Sequence, residues 1–141
     1  MAQSNSANGY FHMVLVGNLA ADPELRYTPG GTAVCNFRIA VNQRVPAGND
    51  EWEVVPQWFK VACWGKQGEA CNQYLKKGSR VLVDVSRMNF DKLTGAPELF
   101  QRQDGTNGAN YEVTAQTVRF LDSRPADQPG EPMVEETIDF N

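Results

Sequence analysis

Trp58-Phe59-Lys60-Val61-Ala62-Cys63-Trp64 is a segment with two unlike faces. Successive side chains of a β-strand point to opposite sides of the sheet, so Phe59, Val61 and Cys63 make one wholly apolar face. That is the natural core face. Trp58, Lys60, Ala62 and Trp64 make the other, which directs two tryptophans and a lysine away from the core over about 20 Å at roughly 3.3 Å per residue. Upstream, Ala33, Cys35, Phe37, Ile39 and Val41 alternate with Val34, Asn36, Arg38, Ala40 and Asn42, the pattern of a second half-buried strand. His12 to Gly17 is a short apolar strand, and Asp22-Pro23 and Pro29-Gly30-Gly31 punctuate the chain between the first two strands.

Downstream of Gly65 the period becomes helical. Ala70, Cys71, Tyr74 and Leu75 fall on one stripe, Lys76 and Lys77 suit the negative end of a helix dipole, and Gly78 supplies a terminating left-handed turn. The spacing predicts one helix of about ten residues. Val81 to Val85 returns to strand and runs on towards Phe90, Asp91 to Asn110 reads as a long hairpin or loop excursion, and Tyr111 to Leu121 is a last β-rich segment. Three strands, a helix and two more strands is the order of an all-β, five-stranded OB-fold barrel with one helix between strands 3 and 4. The expected domains are a flexible arm over residues 1–10, the barrel over 11–122 and a disordered acidic tail over 123–141, a stretch of Pro, Asp, Glu, Gln and Gly.

Charge divides along the same boundary. The 141 residues hold 13 Lys plus Arg against 17 Asp plus Glu, a net charge of -4. Basic and acidic residues balance through residue 122, and Arg124 against Asp127, Glu131, Glu135, Glu136 and Asp139 carries the whole deficit. No apolar run is long enough to cross a bilayer, and Met1 to Gly9 has no apolar segment of the signal-peptide kind, so a cytoplasmic protein is expected. Cys35, Cys63 and Cys71 lack any metal-ligand spacing and read as reduced thiols. His12 has no nucleophile or carboxylate partner in a recognisable motif, Ser79 and Ser86 lack a nucleophile-elbow setting, and the glycines match no phosphate loop. Neither catalysis, metal nor cofactor is expected.

The outward face carries the functional signal. Single-stranded nucleic acid offers flat bases and charged phosphates, which aromatic platforms and Lys or Arg accept with little regard to sequence. Trp58, Lys60 and Trp64 meet both needs on one strand. Arg38 and Arg44, from the second strand and its following loop, extend the surface, as do Arg87, Phe90 and Lys92 on the fourth strand and its hairpin. Arg87 faces the barrel interior if the alternation of Val81, Val83 and Val85 continues. Trp52 is a weaker candidate, because Asp50, Glu51 and Glu53 flank it and repel phosphate.

Several blocks resemble one known family. Val14-Leu15-Val16-Gly17-Asn18-Leu19, the run from Asp22 to Gly31, Val34-Cys35-Asn36-Phe37-Arg38-Ile39-Ala40, the run from Trp58 to Lys66, and Tyr74 to Val81 closely resemble bacterial single-stranded DNA-binding proteins. The likeness spans about residues 12 to 121. It implies an OB-fold, usually in a homotetramer wrapped by single-stranded DNA, that serves replication, recombination and repair without catalysis. Trp58 and Trp64 fall at the family's stacking positions, and Lys66 closes the same block. A further family aromatic corresponds to Val45 here, so that platform is missing or supplied by Trp52, while Phe90 and Phe100 are the candidates for the aromatic on the later hairpin. The family's acidic C-terminal docking peptide is altered: Glu135, Glu136, Ile138, Asp139 and Phe140 remain, without its proline and with Asn141 after Phe140. The resemblance implies that this end docks DNA-processing proteins. An OB-fold accessory protein working mainly through protein contacts, and an RNA-binding barrel, are the alternative functions.

Overall fold

In the computed structural model, which describes residues 8–122, the chain runs β1 (Met13–Leu19), β2 (Glu24–Tyr27), β3 (Ala33–Gly48), β4 (Glu51–Trp64), α1 (Gly65–Tyr74), β5 (Arg80–Met88), β6 (Leu99–Gln101), β7 (Asn107–Ala109) and β8 (Glu112–Phe120). Five of these strands close a barrel in the order β1-β5-β8-β4-β3, with β1 pairing back onto β3. The β4–β8 seam is parallel; the other barrel pairings are antiparallel. The helix sits between the third and fourth barrel strands, as the strand order predicts. The proposed tail, and the arm through residue 7, lie outside the described residues.

The alternation read from sequence places the core. Cys35, Phe37, Ile39, Phe59, Val61 and Cys63 are buried, and they meet Leu15, Leu19, Val81, Val83, Val85, Val113 and Val118 inside the barrel. Closure depends on Gly17. A Cβ there would collide with the Ala40 carbonyl, where β1 crosses β3 beside the Asn18–Ala40 and Leu19–Ile39 pairs.

Helix α1 starts directly at the end of β4. Gly68 packs on the Cys63 carbonyl so closely that a Cβ has no room, and Cys71 and Leu75 turn inward. The Gln67 side chain donates to the Gln116 carbonyl at 3.1 Å and accepts from the Val118 amide at 2.7 Å, which ties the helix to β8. Tyr74, expected on the buried stripe, is exposed and lies 6.2 Å from the Phe120 ring. Lys76 and Lys77 stand beyond the last turn rather than in it. Gly78 has the left-handed φ of 92° but serves the turn into β5, where its amide donates to the Leu19 carbonyl.

Two elements escape the sequence pattern. The chain between Asn42 and Gln57, which includes the loop expected after the second strand, is a two-stranded ribbon of β3 and β4 that projects from the barrel and turns at Asn49 and Asp50, both at positive φ. Positive φ at two central residues suits the twist of a tight hairpin. Both faces of this ribbon meet solvent, so no hydrophobic alternation marks it; backbone pairing and a Gln43–Gln57 side-chain hydrogen bond hold it. Strand β2, between the two turn signals, is likewise short and mostly exposed, and it pairs along the edge of β3. The Asp91–Asn110 excursion carries the small β6–β7 hairpin.

Candidate nucleic-acid interface

Cross-strand register assembles the outward face. Residues paired across neighbouring strands project to the same side, and two rows cross the barrel wall. One runs Arg38, Lys60, Glu112; the next runs Asn36, Ala62, Thr114, Arg87. Trp58, paired with Ala40, and Trp64, paired with Val34, flank these rows on β4. Four strands therefore contribute to one surface that holds Trp58, Trp64, Lys60, Arg38 and Arg87.

Arg87 corrects the expectation that it faces inward. Register shifts between Asp84 and Arg87 make Ser86 an extra residue, and the Ser86 hydroxyl donates to the Thr114 carbonyl. A bulge of this kind reverses the alternation beyond it. Arg87 is consequently exposed beside Thr114, while Met88 packs against the core.

The charges differ in their freedom. The Lys60 ammonium lies 3.4 Å from the Glu112 carboxylate, which also accepts from the Asn89 side-chain amide. Among the described residues the ion pairs are this one and Arg26–Glu24, so Arg38, Arg44 and Arg87 hold no carboxylate. Arg38 instead lies over the Trp58 ring, 4.9 Å from its centroid, and Arg44 over Trp52 at 4.7 Å. Such pairing holds a cation against an aromatic platform.

The remaining candidates are placed apart. Lys66 is exposed in the first turn of α1, next to Trp64. Arg87 and Phe90 line a cleft with Phe11, Met88, Asn89 and Tyr111, and Lys92 lies in the turn that follows. Phe100 sits on the separate β6–β7 hairpin, under the Arg102 guanidinium at 5.4 Å. Val45 half-buries itself on the ribbon face opposite Trp52 and lines a groove with Gln43, Val55, Trp58 and Tyr111. Tyr111, absent from the sequence candidates, borders both clefts and packs 5.4 Å from the Phe59 ring. Its only sequence signal is an aromatic at the start of a strand.

Glu135, Glu136, Ile138, Asp139 and Phe140 lie outside the described residues. Among the described residues no helix is long and apolar enough to cross a membrane.

The chain is similar to known proteins. The Single-stranded DNA-binding protein of Treponema pallidum (strain Nichols) is 38% identical over 115 residues, covering 79% of this chain and 58% of the relative. That of Oceanobacillus iheyensis is 39% identical over 114 residues, covering 79% and 63%. The chain thus spans less than two thirds of the length of these curated relatives. A crystal structure of a deletion mutant of the single-stranded DNA binding protein from Thermus aquaticus superposes with a TM-score of 0.61 at 27% identity, over 84% of this chain and 53% of that one. Residues 10–121 match the model of the Single-strand binding protein family. With its barrel, its outward aromatic and basic face and these relatives, the chain belongs to the single-strand binding protein family.

Proposed function

We propose that this protein binds single-stranded DNA with little sequence preference, stacking bases on Trp58 and Trp64 and neutralising phosphates with Lys60, Arg38 and Arg87. The observation that carries this is the common outward face of those five side chains, which stand on β3, β4 and β5 and are brought into register through β8. Trp58 and Trp64 are exposed on this face, and aromatic side chains open to solvent are suited to stacking with bases. Lys66 lies where the strand leaves Trp64, and the Phe90 cleft and Phe100 hairpin offer further aromatic surface. The relatives' names support the same ligand.

The finer proposals follow from the family. The protein acts as a homotetramer in the cytoplasm, protects exposed strands in replication, recombination and repair, and docks DNA-processing proteins through Glu135, Glu136, Ile138, Asp139 and Phe140. None of these roles requires catalysis. Titrating oligo-dT while following tryptophan fluorescence tests the central claim. We expect quenching, and an affinity that falls as salt rises because phosphate contacts release counterions. Trp58→Ala and Trp64→Ala should each weaken binding by about 1 to 3 kcal/mol. Unquenched emission, or unchanged affinity in both variants, would refute the proposal.

A further inference from the structure

The chain's three tryptophans, Trp52, Trp58 and Trp64, stand six residues apart along β4. Six is an even number, so all three project to one face of the strand as it follows the twist of the sheet. Successive indoles are separated by about 20 Å along the strand, and the row extends about 40 Å. All three residues are exposed, at 55%, 41% and 46% of their surface.

The likeness between Trp52 and Trp58 extends to their partners. Arg38 pairs across the ribbon with Lys60, two residues past the tryptophan it covers; Arg44 pairs with Val54, again two residues past the tryptophan it covers. The same diagonal module of arginine on indole is therefore built twice, shifted six residues along the ribbon. Register places two of the three acidic neighbours off the face of Trp52, the third, Asp50, standing in the turn. Glu53 pairs with Val45 on the opposite face, and Glu51 pairs with Gly48 at the turn, whereas Trp52 shares its face with Arg44, Val54 and Pro46. The Arg44 guanidinium has no carboxylate partner among the described residues.

From this repetition we propose that Trp52 and Arg44 form a distal subsite for single-stranded DNA on the projecting ribbon, with a base stacked on the indole and a phosphate held by the guanidinium. The subsite continues the barrel face outward and replaces the platform absent at Val45, which points to the other side. The assignment presupposes that the barrel face binds single-stranded DNA.

The test uses the full chain and oligo-dT from about 4 to about 16 nucleotides, the range of site sizes for such barrels. Trp52→Ala should leave affinity for the shortest oligomers unchanged and weaken binding of the longest about tenfold, the order expected for one lost stack, with Trp52→Phe retaining most of it. In a Trp58→Phe, Trp64→Phe double variant, Trp52 is the sole tryptophan; long oligomers should quench its emission and the shortest should not. If Trp52→Ala binds every length like the parent while Trp58→Ala is weakened, the distal subsite is wrong and the barrel-face function stands. If both variants bind like the parent, the function itself fails. Equal weakening at all lengths would make Trp52 a support of the barrel rather than a subsite. A change in oligomeric mass with DNA affinity intact would make the ribbon a subunit contact; either result overturns the proposal.

Discussion

At the scale of single residues, the Lys60–Glu112 pair sets how strongly the barrel face presents its lysine. A half-exposed pair of this kind contributes little to stability, about 0 to 1 kcal/mol, yet it holds the ammonium away from phosphate. We expect Glu112→Gln to tighten oligo-dT binding at low salt, with the gain fading as screening grows; equal affinities at low salt would show that Lys60 takes no part. The buried thiols give a second residue-scale expectation. Burial, with a smaller contribution from neighbouring Cys63, pushes the Cys35 thiol from its ordinary 9.0 up to about 11. The Cys71 thiol is raised as well, because it donates to Cys63, 3.9 Å away, and is itself buried. A group with a raised folded-state value keeps its full stabilising effect below its unfolded value and loses it as pH rises towards the folded value. Stability should therefore fall between about pH 9 and pH 11, with Cys35 accounting for roughly 2 to 3 kcal/mol. Urea midpoints across that range check this, and Cys35→Ala should flatten the slope. Both tryptophans of the face and the burial of Cys35 and Cys63 were legible from period-two alternation, since a strand with one buried face imposes that period on its sequence.

At the scale of elements, α1 fixes the end of β4 and with it Trp64, the residue immediately before the helix. Gly68 permits that contact. Gly68→Ala should destabilise the fold by about 1 to 3 kcal/mol, the usual cost of overpacking, and should perturb Trp64 emission more than that of Trp58. A thermal midpoint equal to the parent's would show that the helix shifts freely. The helix length was legible because its residues change period, but its inward stripe was not. Tyr74 falls on the predicted apolar stripe yet is exposed, its ring 6.2 Å from that of Phe120. The Ser86 bulge was equally hidden. One extra residue against β8 reverses the outward sense of Arg87, and that register is a property of two strands, not of one.

At the scale of the whole molecule, the net charge of -4 does not oppose a polyanionic ligand, because the described barrel is nearly balanced and the acids of residues 123–141 carry the surplus. Deleting 123–141 should tighten oligo-dT binding at low salt and make little difference at high salt, as expected if that acidic segment competes with DNA for the basic face. Unchanged low-salt affinity would leave the segment a solubilising one. The succession of the five barrel strands along the chain, the place of the helix among them, the barrel core and the Trp58–Lys60–Trp64 face were determined by the sequence alone, since each depends on local periodicity and on which side chains water excludes. Only the tertiary structure decided the rest. The β3–β4 ribbon meets water on both sides and so has no apolar period to announce it. The rows joining Arg38, Lys60, Glu112 and Arg87, and the side on which Trp52 stands, depend on backbone hydrogen bonds between segments far apart in the chain, whose register no single strand encodes.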